Sequence, residues 1–219
     1  MDAYFTIENT SVGEFKDKGS KFLAYVFPFG DESELPIYLA QVKDEHPKAR
    51  HYCYAYKLGI DGDLFRMNDD GEPSGTAGKP IYGQILSFEL SDVLVIVVRY
   101  FGGTKLGASG LIQAYKKTTS DALHRAGKKE IYIYKYFTLF FPIEELGNVY
   151  HILKLLEIEA MDTVYVPLPH INLKIRKGNF TETLIRLKAG LLHIAYEQAV
   201  QTKDWAPFNL LDSEGPAKV

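Results

Sequence analysis

One cysteine, Cys53, stands in a chain of 219 residues, so no intrachain disulfide can form and no cysteine-based zinc site can be built. Cys53 sits in the alternating run Arg50-His-Tyr-Cys-Tyr-Ala-Tyr56 and reads as a buried structural thiol rather than a nucleophile. No apolar run reaches the roughly 18 residues of a membrane span. The opening Met1-Asp-Ala-Tyr-Phe-Thr-Ile-Glu8 lacks a basic n-region and an apolar h-region, so no signal peptide is expected, and the expectation is a cytoplasmic, non-membrane protein. Basic excess is missing too: 25 Lys+Arg stand against 28 Asp+Glu, a net charge of -3. Residues 1–129 carry 16 against 17 and residues 130–219 carry 9 against 11. A nucleic-acid surface would therefore be a local patch, not a property of a whole domain. No internal repeat is visible.

What the chain has is an ordinary globular composition, 46% hydrophobic and 24% charged, with room for one large domain or two small ones. Residues 3–10 alternate weakly as a first strand, and Phe22–Phe27 is an apolar run of strand length. Glu34–Glu45 reads as a helix with Leu35, Leu39 and Val42 on one face, ended by Pro47. His51–Ile60 is a tyrosine-rich strand, followed by a turn at Asp61-Gly-Asp63. Lys79-Pro80 opens a helix through Ile81, Ile85 and Leu86. Val93-Leu-Val-Ile-Val-Val98 reads as a strand buried on both faces. From Ser109 a helical stripe of Leu111, Tyr115, Thr118 and Ala122 runs to Gly127.

Beyond a junction at Lys128-Lys-Glu130 the expected order is strand Ile131–Phe141, helix Ile143–Leu156, strands Ala160–Val166 and His170–Lys177, helix Thr181–Leu187 and strand Leu192–Ala199. That β-α-β-β-α-β order is ferredoxin-like. The expected domains are 1–129 and 130–203, with 204–219 a tail that Trp205, Phe208 and Leu210 pack back.

The loop after the buried strand, Arg99-Tyr-Phe-Gly-Gly-Thr-Lys-Leu-Gly-Ala-Ser-Gly110, is the leading candidate site. Strand, glycine-rich loop and helix in that order present unpaired backbone N–H groups and a helix dipole to a ligand. Gly102, Gly103, Gly107 and Gly110 allow close approach. Lys105 adds a cation, Thr104 and Ser109 add hydroxyls, and phosphate suits the set. The spacing is neither a Walker A motif nor a dinucleotide fingerprint. A structural turn, phosphate or nucleic-acid binding, and catalysis all remain open on spacing alone.

A second candidate is Asp69-Asp-Gly-Glu-Pro-Ser-Gly-Thr-Ala-Gly78. Asp69, Asp70 and Glu72 could hold Mg²⁺ or move protons. Equally, Asx turns, Ser74, Thr76 and the glycines could merely shape the loop, with Asp69 or Asp70 pairing Arg99 or Lys105. Arg50 and His51 open a strand, where a lone histidine reads as a hydrogen-bonded structural residue. His46 and His51 lack helical metal-pair spacing, and no metal or cofactor is expected. Tyr52, Tyr54 and Tyr56 share one strand face and read as packing or as a base-stacking stripe.

Three segments together resemble the YigZ/IMPACT family: Arg50–Tyr56, Asp69–Pro80 and Val98-Arg-Tyr-Phe-Gly-Gly-Thr-Lys-Leu-Gly-Ala-Ser-Gly-Leu-Ile-Gln-Ala-Tyr115. The resemblance covers roughly residues 16–125. It implies an α+β protein of two domains. The first would have the left-handed βαβ sandwich shared with a small-subunit ribosomal protein and GHMP-type kinases. The second would be the ferredoxin-like domain similar to the C-terminal domain of elongation factor G. The family's eukaryotic branch includes a translation regulator acting through a stress-kinase partner. Gln113 stands where the family commonly has a basic residue. A translation-associated binding module is thus expected, touching RNA, the ribosome or a translation-related protein through the Gly102–Gly110 loop, with Arg99, Lys105, Lys79 and Lys21 supplying charge. A nucleotide- or phosphate-binding enzyme using Asp69 or Asp70 and a purely protein–protein module are the alternatives; oligomeric state is left open.

Overall fold

The structure is a computed structural model that describes residues 2–59 and 64–213. The turn expected at Asp61-Gly-Asp63 lies outside the described residues. The chain divides into two compact units, Ala3–Ile131 and the chain from Tyr132 onward together with Asp2.

The first unit is built on a five-stranded antiparallel sheet. Its strands are β2 (Ser11–Asp17), β3 (Ser20–Pro28), β4 (His51–Leu58), β5 (Leu64–Asn68) and β6 (Val93–Tyr100), in the order β2-β3-β6-β4-β5. A two-stranded sheet of β1 (Ala3–Ile7) and β7 (Lys128–Tyr132) accompanies it. The helices are α1 (Leu35–Glu45), α2 (Gly78–Ser87) and α3 (Gly107–Ala126). β6 lies at the centre, with Val93 through Val98 each fully buried, as its unbroken apolar run requires. Val93, Val95 and Val97 point into one core with Ile81, Ile85, Leu111 and Tyr115 from α2 and α3. Leu94, Ile96 and Val98 point into the other, with Leu35 and Val42 from α1. The sheet is therefore sandwiched between helical layers.

The tyrosine stripe belongs to the second of these cores. Tyr54 and Tyr56 are buried beside Phe27 and Phe29, with Tyr52 packed against them. That burial removes the base-stacking reading of the stripe. β2 and β5 carry no apolar run and escaped the sequence reading. Both are edge strands, and β5 is exposed along most of its length, so neither needs the pattern that marks an interior strand.

The second unit holds β8 (Tyr134–Phe140), α4 (Leu146–Leu155), β9 (Glu159–Val164), β10 (His170–Arg176), α5 (Phe180–Leu192), α6 (Tyr196–Gln201) and β11 (Asn209–Ser213). Its sheet runs β11-β8-β10-β9, antiparallel throughout. With α4 and α5 as the crossovers, this is the ferredoxin-like arrangement. Two expectations fail inside it. The segment Leu192–Ala199 is not a strand: α5 runs on to Leu192, His193 ends it in the left-handed conformation, and α6 follows. The fourth strand is instead β11, in the stretch read as a tail, where Leu210 pairs with Leu139. Phe208 enters the core beside Phe137 and Leu139, with Trp205 and Leu210 packed against it.

The replacement Phe208→Ala, which empties a site only 5% exposed, is expected to destabilise the second unit by about 3 kcal/mol. Urea denaturation followed by the fluorescence of Trp205 measures it, and an unchanged midpoint would return residues 204–213 to the status of a tail.

Candidate anion-binding site

Strand alternation decides where the charges of β6 go. Val93, Val95 and Val97 face α2 and α3, so Arg99 does as well. It is 6% exposed and lies opposite Phe22 of β3 and His51 of β4 in the sheet register. Its guanidinium sits over the rings of Phe22 and Phe101, 5.4 and 5.6 Å from their centroids. Such a charge needs a buried partner. The loop between β5 and α2 supplies it: Arg99 Nη1 donates to Glu72 Oε1 at 2.6 Å, with both side chains less than a tenth exposed. Tyr115 of α3 donates its hydroxyl to the same oxygen at 2.9 Å.

The Cys53 sulfur lies 3.3 Å from the Tyr115 hydroxyl oxygen and 3.0 Å from the Asp69 carbonyl oxygen. Burial pushes the Cys53 thiol far up, against a smaller opposing effect of the Tyr115 hydrogen bond, and nearby acids add to the rise. Burial also raises Tyr115, followed by the neighbouring Cys53 and Glu72. Both groups stay protonated, and the thiol is no nucleophile.

The acidic loop is shaped by its own backbone. Asp69 accepts from the N–H groups of Gly75, Ala77 and Gly78 at 2.8, 2.9 and 2.8 Å. Asp70, at φ 39° and followed by Gly71 at φ 84°, accepts from Tyr52 N–H at 2.7 Å. His51 donates from Nδ1 to the Asp70 carbonyl at 2.8 Å, which fixes its tautomer. Thr76 donates its hydroxyl to the Pro73 carbonyl at 2.6 Å, and Ser74 is exposed. A carboxylate filled by three N–H donors is not arranged for a cation. Among the described residues, no group of three or more His, Cys, Asp or Glu could hold a metal. The pairing expected of Asp69 or Asp70 with Arg99 falls to Glu72 instead.

The glycine-rich loop lies on the other side of Arg99. Gly102 is a matter of sterics: a Cβ there would come within 1.8 Å of Gly19 in the β2–β3 turn, so two backbones pass at contact distance and only glycine fits. Thr104 and Lys105 are exposed. Gly103 and Gly107 have φ of 86° and 71°. α3 then starts with no side-chain cap and no acid in its first turn, which leaves the amides of Gly107, Ala108 and Ser109 without an intrahelical acceptor at the positive end of the dipole.

Between the two loops lies a pocket of about 350 Å³, lined by Glu72, Pro73, Arg99, Phe101, Lys105, Leu106, Gly107, Ala108 and Leu111. Arg99 Nε is buried and has no hydrogen-bond partner among the described residues. The structure thus gathers Arg99, Lys105, Gly107 and Glu72 from the sequence candidates, with Ser109 in the same helical turn. It does not gather Lys21, which faces the α1 side of the sheet and pairs with Glu14 at 3.0 Å. Lys79 and Arg50 are exposed and outside the pocket lining. Nothing in the spacing marks Tyr115 as a polar member or Phe101, Leu106 and Leu111 as walls. A tyrosine on the buried stripe was the available sign, because its hydroxyl must find a partner.

The family model described as the Impact N-terminal domain matches residues 18–123. The chain is 38% identical over 130 residues to the IMPACT family member YvyE of Bacillus subtilis, covering 59% of this chain and 60% of that one. It is 40% identical over 148 residues to an IMPACT family member of Thermus thermophilus, covering 68% and 79%. The chain thus spans less than two thirds of the Bacillus relative's length. A solved structure described as a hypothetical protein is alike over 98% of both chains, with a TM-score of 0.66 at 24% identity, a likeness of fold.

Glu72→Ala would leave Arg99 charged and unpaired, and is expected to cost about 3–5 kcal/mol in equilibrium unfolding. The Cys53 thiol should resist a thiol reagent at pH 8 in the folded protein and react promptly in denaturant; fast labelling of the native chain would contradict its burial.

Proposed function

The chain belongs to the IMPACT family, and from that premise we propose that it is a translation-associated regulatory binding protein that grips an anionic group of its partner at the start of α3. The carrying observation is the convergence of uncapped helix amides, the exposed Lys105 and the incompletely bonded Arg99 on one pocket. The translational half of the reading rests on family kinship, which reaches eukaryotic proteins such as the yeast IMPACT homologue, 27% identical over 121 residues. The binding half rests on chemistry: N–H donors and cations with no acid free to oppose them suit RNA phosphate or a protein carboxylate. The rival enzymatic reading needs Asp69 or Asp70 to be available for Mg²⁺; both oxygens of Asp69 and one of Asp70 are engaged with backbone N–H groups.

Filter binding of the purified protein to ribosomes and to RNA, at two salt concentrations, tests the proposal. Binding should weaken with salt and fall about tenfold in Lys105→Ala, the loss expected for one charge-assisted contact. Salt-insensitive binding, no binding, or full retention in the variant would sink it.

A further inference from the structure

We propose that the pocket over Arg99 takes a single carboxylate attached to an apolar group, the α-carboxylate of an apolar amino acid, free or at the end of a peptide chain. The inference rests on the function proposed above only for the place of the anion.

Charge selects the anion. Within the pocket Arg99 and Glu72 neutralise each other through their ion pair. Among the described residues Lys105 is then the one uncompensated cation of the lining, reinforced by the partial positive charge at the start of α3, roughly half a unit. That sum matches one negative charge. A phosphate monoester would bring a second negative charge that no further cation of the lining offsets, in a site where charges are poorly screened.

Donors select the geometry. Arg99 lines the pocket, and its buried Nε has no partner among the described residues, so the guanidinium keeps unmet donor capacity. The first-turn amides of α3 lack any side-chain cap. A carboxylate beside the α3 amides meets the second requirement as an N-cap would, and brings an acceptor into the pocket that Arg99 lines.

The walls select what carries the carboxylate. Pro73, Phe101, Leu106 and Leu111 make most of the lining apolar. The volume of about 350 Å³ is at the small end for ligand sites, roughly 300–1,000 Å³, and suits a group of amino-acid size. A nucleic-acid backbone is monoanionic at each phosphate too, but it would set ribose hydroxyls against these walls.

Titration of the full-length ¹⁵N-labelled protein tests this, with the amides of Gly107, Ala108 and Ser109 as reporters. The probes are N-acetyl-leucine, N-acetyl-leucinamide, phenyl phosphate, a uridine dinucleotide, free leucine and the tetrapeptide Gly-Gly-Gly-Leu. N-acetyl-leucine should give saturable shifts, with the amide at least about tenfold weaker, as expected on losing a charge-assisted hydrogen bond, and phenyl phosphate weaker because of its second negative charge. Ala108→Trp, on an exposed position of the lining, should abolish the shifts and leave the melting temperature unchanged. Tighter binding of free leucine would assign the site to a small molecule, and tighter binding of the tetrapeptide to a chain terminus. Equal binding of the amide, tighter binding of phenyl phosphate or the dinucleotide, or shifts that survive Ala108→Trp would overturn the proposal. Salt-sensitive ribosome binding in that event would leave the proposed function standing; carboxylate binding without ribosome binding would do the reverse.

Discussion

The first unit depends on one buried ion pair. Arg99 leaves the end of β6 with its charge inside the protein, and Glu72 meets it from a loop 27 residues earlier in the sequence. Neither ion is tolerable there alone, since removing one partner strands an uncompensated charge. The pair therefore ties the acidic loop to the central strand, and Tyr115 ties α3 to both through the same carboxylate oxygen. Three segments that share no backbone hydrogen-bond ladder are thus held in register by polar side chains. The pocket exists because these segments meet around Arg99 without closing over it.

Around this pair, backbone groups carry much of the precision. Asp69 binds three amides of its own loop, and the Gly19–Gly102 crossing sets the glycine-rich loop at contact distance from the β2–β3 turn. Neither device needs a long side chain, so little rotamer entropy opposes it. The long, mobile cation, Lys105, is left on the outside. Rigid donors with one adjustable charge is an arrangement that favours binding over reorganisation.

Legibility followed burial. Val93–Val98 announces a central strand, and the structure makes it one. The spacing of Leu111, Tyr115, Thr118 and Ala122 gives the inner face of α3. β2 and β5 were invisible because edge strands need no apolar pattern. The failure at Leu192–Ala199 is a case of short apolar runs being ambiguous between helix and strand. Its counterpart, β11, is hidden because Asn209–Ser213 has only Leu210 and Leu211 to mark it. At the site, the sequence shows that the acidic and glycine-rich loops both matter but not which acid reaches Arg99. Of three carboxylates within four residues, only the fold makes Glu72 the inward one.

The place of β11 has a consequence for synthesis. It pairs with β8, the first strand of the second unit's four-stranded sheet, so Leu139 waits for Leu210. The five-stranded sheet of the first unit needs nothing beyond Tyr100, and its last helix is complete at Ala126. A growing chain can therefore finish the first unit while the second still exposes the open edge of β8 and the cavity meant for Phe208. That interval is when the second unit is open to wrong strand pairing.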